Sequence, residues 1–195
     1  MKEFNFKLEP GRKLYNNREY VETFPLISVI VPFYNSEKFI EQTIKSILNQ
    51  TFPSYEILII DDGSTNKMAL EKLEQIKELD KRIKVFHKQN EGLATTRDYG
   101  ASKSNEHARY LMFIDDDDLI EPTFLECGFW TLETNKDAAW AYSDSLGFGS
   151  IEYTWNKYFS SEKMKKENDL ISAALVRKTD FFLVNGYNLK EKAVN

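Results

Sequence analysis

Cysteine is almost missing from this sequence. The 195 residues include one, Cys127, which cannot close an internal disulfide and sits in an apolar stretch where a buried, reduced thiol is expected. Histidine is scarce too: His87 and His107 stand apart, which leaves no zinc constellation and no evident Ser/His triad. No run approaches the length of a membrane-spanning helix, and the first twenty residues lack the apolar centre of a signal peptide. Without a secretory signal, the sequon at Asn49-Gln50-Thr51 is read as chance. A basic excess is also lacking. Lys and Arg number 26 against 31 Asp and Glu, a net charge of −5, which argues against a non-specific nucleic-acid binder. These absences lead us to expect a cytoplasmic protein with no nucleic-acid partner.

What is present reads as globular. Hydrophobic residues make up 42% and charged residues 29%, a balance that disfavours disorder. The length suits one domain of roughly 100–200 residues, or one with a small extension. Residues 1–26 read as an N-terminal arm, polar and broken by Pro10-Gly11. Regular patterning begins at Ile27. Ile27 to Val31 is a β-branched run closed by Pro32, and Tyr55 to Ile60, Ile83 to Phe86, Tyr110 to Ile114 and Ala138 to Tyr142 read as further strands. Helical spacing lies between them: Phe39 to Leu48 with Ser36 as N-cap, Ala69 to Ile76, Thr95 to Ser104, and Leu125 to Leu132. Alternating strands and helices predict an α/β fold with a mostly parallel sheet. Right-handed crossovers would then put the strand C-termini on one edge, where open α/β sheets bind ligands. A last apolar run, Ile171 to Val176, and a short helix around Phe181 to Val184 precede Asn185-Gly186-Tyr187.

Three polar motifs follow predicted strands and should meet on that edge: Pro32-Phe33-Tyr34-Asn35, Asp61-Asp62-Gly63-Ser64 and Asp115 to Asp118. Four consecutive carboxylates repel one another unless solvated or neutralised, and a divalent cation with hard oxygen ligands neutralises them well. The plain alternative is a solvated acidic loop. An EF-hand does not fit, because Leu119 and Ile120 occupy its fifth and sixth positions and its glycine is missing. Asp61, Gly63 and Ser64 are equally well a strand-to-helix turn, whereas Asp62 can accept hydrogen bonds from a base or ribose. Arg97, near the start of a helix, suits phosphate, although an arginine alone is more often a surface ion-pair residue. Neither GxGxxG nor GxxxxGK[ST] is present, so a diphosphate would be held through metal and side chains.

Five ordered segments resemble family 2 glycosyltransferases of the GT-A fold: residues 27–35, Ser46 to Thr51, Tyr55 to Thr65, Asn90 to Gly100 and Tyr110 to Asp118. The resemblance implies a GT-A (Rossmann-like), mostly parallel sheet flanked by helices over residues 27–195. A nucleotide-sugar half would span 27–118 and a partial acceptor half 119–195. It also implies a nucleotide-sugar site built by Pro32, Tyr34, Asn35, Asp62, Arg97, Asp115 and Asp116. Pro32 and Tyr34 would flank a uracil-type base and Asp62 would accept from it. Arg97 would lie near base or diphosphate, and Asp115 near the ribose or its phosphate. Asp117 would ligate Mn²⁺ or Mg²⁺, a Lewis acid for the leaving diphosphate. Asp98 and Asp116 depart from the family pattern, which has Asn and a small residue there.

The implied partners are a UDP-linked sugar and a glycan or glycoconjugate acceptor, with inversion and a carboxylate base for the acceptor hydroxyl. Asn185-Gly186-Tyr187-Asn188 resembles the segment that precedes this base. No Glu-Asp motif follows, and Glu191 is a lone acid, so the general base is expected beyond Asn195. On that reading we expect the domain to be C-terminally incomplete and inactive as given. Alternatives are a non-catalytic nucleotide-binding or regulatory module, and a metal-dependent phosphohydrolase or nucleotidyltransferase, which lacks its usual early motifs. The aromatic stretch at 148–159 offers a saccharide platform or simply a core or lid. Lys163, Lys165 and Lys166 offer contact with the inner face of a membrane or simply a solvated helix face.

Overall fold

The runs richest in β-branched residues lie at the centre of the computed structural model, which describes residues 24–148, 152–155, 160–166 and 173–187. β1 (Ile27–Phe33) and β2 (Tyr55–Asp61) are buried at every position, as parallel strands covered on both faces must be. β3 (Ile83–His87) pairs with β2 and β4 (Tyr110–Phe113) with β1, all in parallel. β8 (Ala174–Arg177) runs antiparallel to β4 and to β5 (Trp140–Tyr142), giving the order β3-β2-β1-β4-β8-β5. A separate hairpin joins β6 (Ser145–Gly147) to β7 (Tyr153–Trp155).

Side chains alternate across this sheet. Val29, Val31, Ile57 and Ile59 pack with Ile40, Ile44 and Ile47 of α1 (Ile40–Leu48), Leu73 of α2 (Lys67–Lys77), and Leu125 and Phe129 of α4 (Phe124–Thr134). Ile30, Leu58, Ile60, Leu111 and Phe113 face the other way. They meet Ala101 of α3 (Leu93–Ser102) and Phe181 of α6 (Lys178–Leu183). A four-residue α5 (Ser161–Met164) follows β7. Among the described residues, no helix is long and apolar enough to cross a membrane.

Several local expectations shift. Ser36 does not cap α1: Phe39 holds the N-cap position without a side-chain bond. Pro32 does not close β1 but lies inside it, beyond Ile30, where pairing with β4 has already ended and a missing N–H is tolerated. α3 begins at Leu93 because Gly92, at φ 90°, turns the chain into it. Cys127 is exposed. Helix α4 buries Leu125, Phe129 and Leu132, and a residue two positions after Leu125 falls on the opposite face. The core also reaches back before Ile27, since the buried Leu26 donates its N–H to Ser54 O at 2.9 Å. Residues 1–23 of the expected arm lie outside the described residues.

Gly100 sets the approach of α3 to the sheet. A Cβ there would stand 2.4 Å from Ile30 Cγ2 and 3.0 Å from Ile60 Cγ1. Overpacking costs typically about 1–3 kcal/mol, more than the ~0.8–1 kcal/mol that alanine gains over glycine in a helix. Gly100→Ala is therefore expected to lower the urea midpoint.

Asp80 and Arg82 close the turn before β3. Arg82 donates Nε and Nη2 to Asp80 Oδ1 and Oδ2 at 2.9 and 2.8 Å and lies 4.5 Å over the Tyr55 ring. Those side-chain bonds outweigh burial and hold the Asp80 carboxyl down at about 2. An unfolded Asp titrates near ~3.9, so this stabilisation is complete above that pH and fades as pH falls toward 2. Asp80→Asn should cost stability at pH 7 and little at pH 2.5, measured by denaturant unfolding at both.

Candidate functional site

The parallel register brings three loops to one edge. β1 pairs with β2 from Ile27↔Tyr55 to Phe33↔Asp61, so Tyr34 and Asp62 leave the sheet side by side, and the Asp62 N–H donates to Phe33 O at 2.9 Å. Tyr34 is half-exposed at this edge, while Pro32 is buried beneath it. Asn35, at φ 50°, ties the first loop to the second. Its N–H donates to Ser64 Oγ at 2.9 Å, and its Oδ1 accepts from the amides of Thr65 and Asn66 at 3.0 and 2.9 Å. With the side-chain oxygen doubly engaged by backbone, Asn35 shapes the edge rather than presenting that oxygen to a ligand. Asp61 serves the turn as well: its Oδ1 accepts from Ser64 N at 2.9 Å, and its Oδ2 lies 2.8 Å from His87 Nδ1.

Asp62 is buried and held by three donors. Oδ1 accepts from Lys88 Nζ at 2.7 Å and Glu91 N at 3.0 Å, and Oδ2 accepts from Gly92 N at 2.9 Å. Burial pushes its carboxyl up, but Lys88 and the two amides together keep it below the ordinary carboxylate range, while the single hydrogen of the Thr96 hydroxyl goes to Gly92 O at 2.9 Å. Lys88 itself is only 7% exposed, and its ammonium also reaches Gln89 O at 2.7 Å and Glu91 Oε2 at 2.9 Å. No local pattern marks Lys88 as part of this site, because its charge partner lies 26 residues earlier in the chain.

Arg97 is nearly buried, not a surface ion-pair residue. Its Nη2 donates to Asp115 Oδ1, its Cζ lies 5.5 Å from the Tyr187 ring centroid, and its buried Nε has no hydrogen-bond partner. The turn carrying Tyr187 has positive φ at Asn185 and Gly186, and it docks on α3. Tyr187 N donates to Asp98 Oδ1 at 3.1 Å, and a Cβ on Gly186 would stand 2.5 Å from that oxygen. The oxygen of an Asn could accept the same bond, so Asp98 departs from the family pattern without losing this contact. Residues 188–195 lie outside the described residues. They include the lone acid Glu191, and no catalytic residue is assigned among the groups placed here. Residues 149–151 and 156–159 of the aromatic stretch lie outside the described residues as well. Lys163, Lys165 and Lys166 are exposed, and Lys165 pairs with Glu162 at 3.0 Å.

The acidic loop is clamped from α1. Thr43 Oγ1 donates to Asp116 O at 2.9 Å, and Ser46 Oγ accepts from Ile120 N at 3.3 Å. Gln50, buried, donates Nε2 to Glu121 O at 2.7 Å and accepts from Leu125 N at 2.9 Å. Removing such a partner leaves buried backbone groups unpaired at about 1–3 kcal/mol each. Ser46 and Gln50 belong to the Ser46-to-Thr51 segment, whose role in holding this loop is visible only once residues more than 70 positions apart are in contact. Within the loop, burial above all, then the charges of Asp117 and Asp115, push the Asp116 carboxyl up to about 6, with the nearby Ser36 hydroxyl opposing. Burial and the same two charges push Asp118 up, with Arg97 opposing. Asp117 is exposed. Among the described residues, no three His, Cys, Asp or Glu side chains form a group that could hold a metal ion unaided.

Comparison with known proteins agrees with this layout. Residues 28–181 match the family described as Glycosyl transferase family 2. An uncharacterized glycosyltransferase of Rickettsia bellii is 41% identical over 136 residues, which cover 64% of this chain and 19% of that relative. GalNAc-T7, solved with UDP, GalNAc and Mn²⁺, superposes with a TM-score of 0.64 at 19% identity, covering 87% of this chain and 38% of that one. Staphylococcus aureus TarS 1–349 in complex with UDP-GlcNAc does so with 0.60 at 21% identity, covering 81% and 47%. The chain thus spans about a fifth of the curated relative and under half of either solved chain. At these identities the structures speak to the fold, which is GT-A. With the family match running through β1, β2 and β4 and the loops that leave them, this chain belongs to glycosyl transferase family 2.

Proposed function

We propose that the described domain binds a UDP-linked sugar with Mn²⁺ or Mg²⁺, and that the whole protein transfers that sugar, with inversion, to a glycan or glycoconjugate acceptor. The observation that carries this reading is the meeting of Tyr34, Asp62, the Arg97–Asp115 pair and the exposed Asp117 at one sheet edge. Tyr34 offers a half-exposed ring on which a base can stack. Asp62 offers a buried carboxylate for its edge. The Arg97 guanidinium places positive charge beside the Asp115 carboxylate that it already fixes.

The donor set fits a hard divalent cation. Asp117 is an exposed oxygen ligand in a loop whose neighbouring carboxyls are pushed up by burial and mutual repulsion, and Mg²⁺ or Mn²⁺ characteristically shares its shell with substrate phosphates and water. Once bound, the cation would supply Lewis-acid stabilisation to the leaving diphosphate. The nucleotides in the TarS and GalNAc-T7 structures support the same class of donor. Deprotonating an acceptor hydroxyl requires a carboxylate base, and we assign that role to no described residue.

Nucleotide saturation supplies the test. Ligand at 100 times its Kd stabilises by about 2.7 kcal/mol, roughly 5–10 °C for a chain of this size. UDP with Mn²⁺ is expected to raise the Tm by that much and EDTA to remove the gain. Asp117→Ala should abolish the metal-dependent shift and Asp116→Ala weaken it much less, and equal effects would contradict the ligand assignment. Base–aromatic stacking is worth about 1–3 kcal/mol, so Tyr34→Ala should weaken UDP binding in calorimetry by about 5- to 150-fold while leaving the Tm of the free protein unchanged.

A further inference from the structure

Lys88 stands out as a nearly buried cation at the edge where the donor base is placed. Its three ammonium hydrogens meet three acceptors: Asp62 Oδ1, Gln89 O and Glu91 Oε2. On Asp62 this leaves Oδ1 accepting from Lys88 and the Glu91 amide, and Oδ2 accepting from the Gly92 amide. An ionised carboxylate has about four lone-pair sites and no hydrogen to give, so one acceptor position on Asp62 remains beyond these three bonds.

Resting on the donor-site reading above, we propose that Lys88 is a specificity-determining positioning residue. It keeps Asp62 an acceptor-only carboxylate, so that the site takes a base with an N–H on its pairing edge, as uracil has, and refuses one with a bare nitrogen there, as cytosine has. A cytosine N3 would set its lone pair against a fixed carboxylate with no hydrogen between them. Uracil N3–H donates into the remaining acceptor position. Without the ammonium, the buried Asp62 loses its only side-chain cation among these partners and is driven toward its protonated form. A protonated carboxyl can donate as well as accept, and a cytosine edge then finds a partner. Lys88 thus acts on the base through Asp62, without touching it. The same bonds fix the 88–92 turn, whose Gly92 starts α3 and hence places Arg97. A merely structural Lys88 would act through that turn on every nucleotide alike.

The experiment is calorimetric titration of UDP and of CDP, in Mn²⁺, into the wild-type chain and into Lys88→Met, Lys88→Gln and Lys88→Arg, with circular dichroism and thermal unfolding as checks on folding. Wild type should prefer UDP by about 100-fold, the scale of a single buried polar group left unpaired. Lys88→Met and Lys88→Gln should lose about 10-fold or more of UDP affinity while CDP affinity holds or rises by up to about 3-fold, so the preference falls to about 10-fold or less. Lys88→Arg, which keeps the charge, should retain most of it. Equal loss of both nucleotides in folded Met and Gln variants, or an unchanged preference, overturns the inference and leaves the donor site standing. If Met fails to fold, the polar Gln variant decides. A wild-type chain that binds neither nucleotide overturns the donor-site reading and this inference with it.

Discussion

The parallel pairing of β1 with β2 is the constraint on which the site depends. Both strands are buried over seven residues and aligned from Ile27↔Tyr55 to Phe33↔Asp61. Slipping this register by one residue would turn every side chain to the opposite face, placing Val29 and Val31 where Ile30 now meets Gly100. Each face is packed against its own set of helix side chains, so a slip would exchange the two sets and the register is strongly specified. The level strand ends then deliver Tyr34 and Asp62 together, and β4, in register with β1 up to Ile30↔Phe113, delivers the acidic run beside them.

Acidic side chains are treated differently at the two ends of this sheet. Glu56, on β2 toward the N-terminal end, is buried and fully engaged by Ser28 Oγ at 2.6 Å, Asn105 N at 2.7 Å and Lys84 Nζ at 2.8 Å. At the C-terminal end, Asp62 is engaged by Lys88 and backbone amides and Asp115 by Arg97, whereas Asp116 and Asp118 lie in a loop that burial and mutual repulsion make reluctant to carry its charge. The loop is nevertheless held in place by Thr43, Ser46 and Gln50. Concentrated charge kept against its own repulsion is what a cation site requires before the cation arrives.

Much of this was legible locally. Continuous β-branched runs announced the buried strands, the spacing of Leu125, Phe129 and Leu132 announced α4, and an acidic run directly after an apolar run announced the end of β4. Other features were not legible. Ser36 looked like a helix cap because serine usually is one, yet α1 starts later, with Phe39 at the N-cap position. Cys127 looked buried because its neighbours are apolar, yet helix rotation turns it outward. Nothing within its own segment showed that the Asn35 side-chain oxygen would join two loops, accepting from the amides of Thr65 and Asn66.

By itself the sequence determined the succession of strands, turns and helices and the kinds of groups at each strand end, because periodicity and turn chemistry are local properties. Only the tertiary structure decided how those groups divide their work. Lys88 secures Asp62, Arg97 secures Asp115 and contacts Tyr187, and Asp117 stays exposed. Those pairings depend on which distant segments the sheet order brings into hydrogen-bond range, and no spacing within a single segment encodes that.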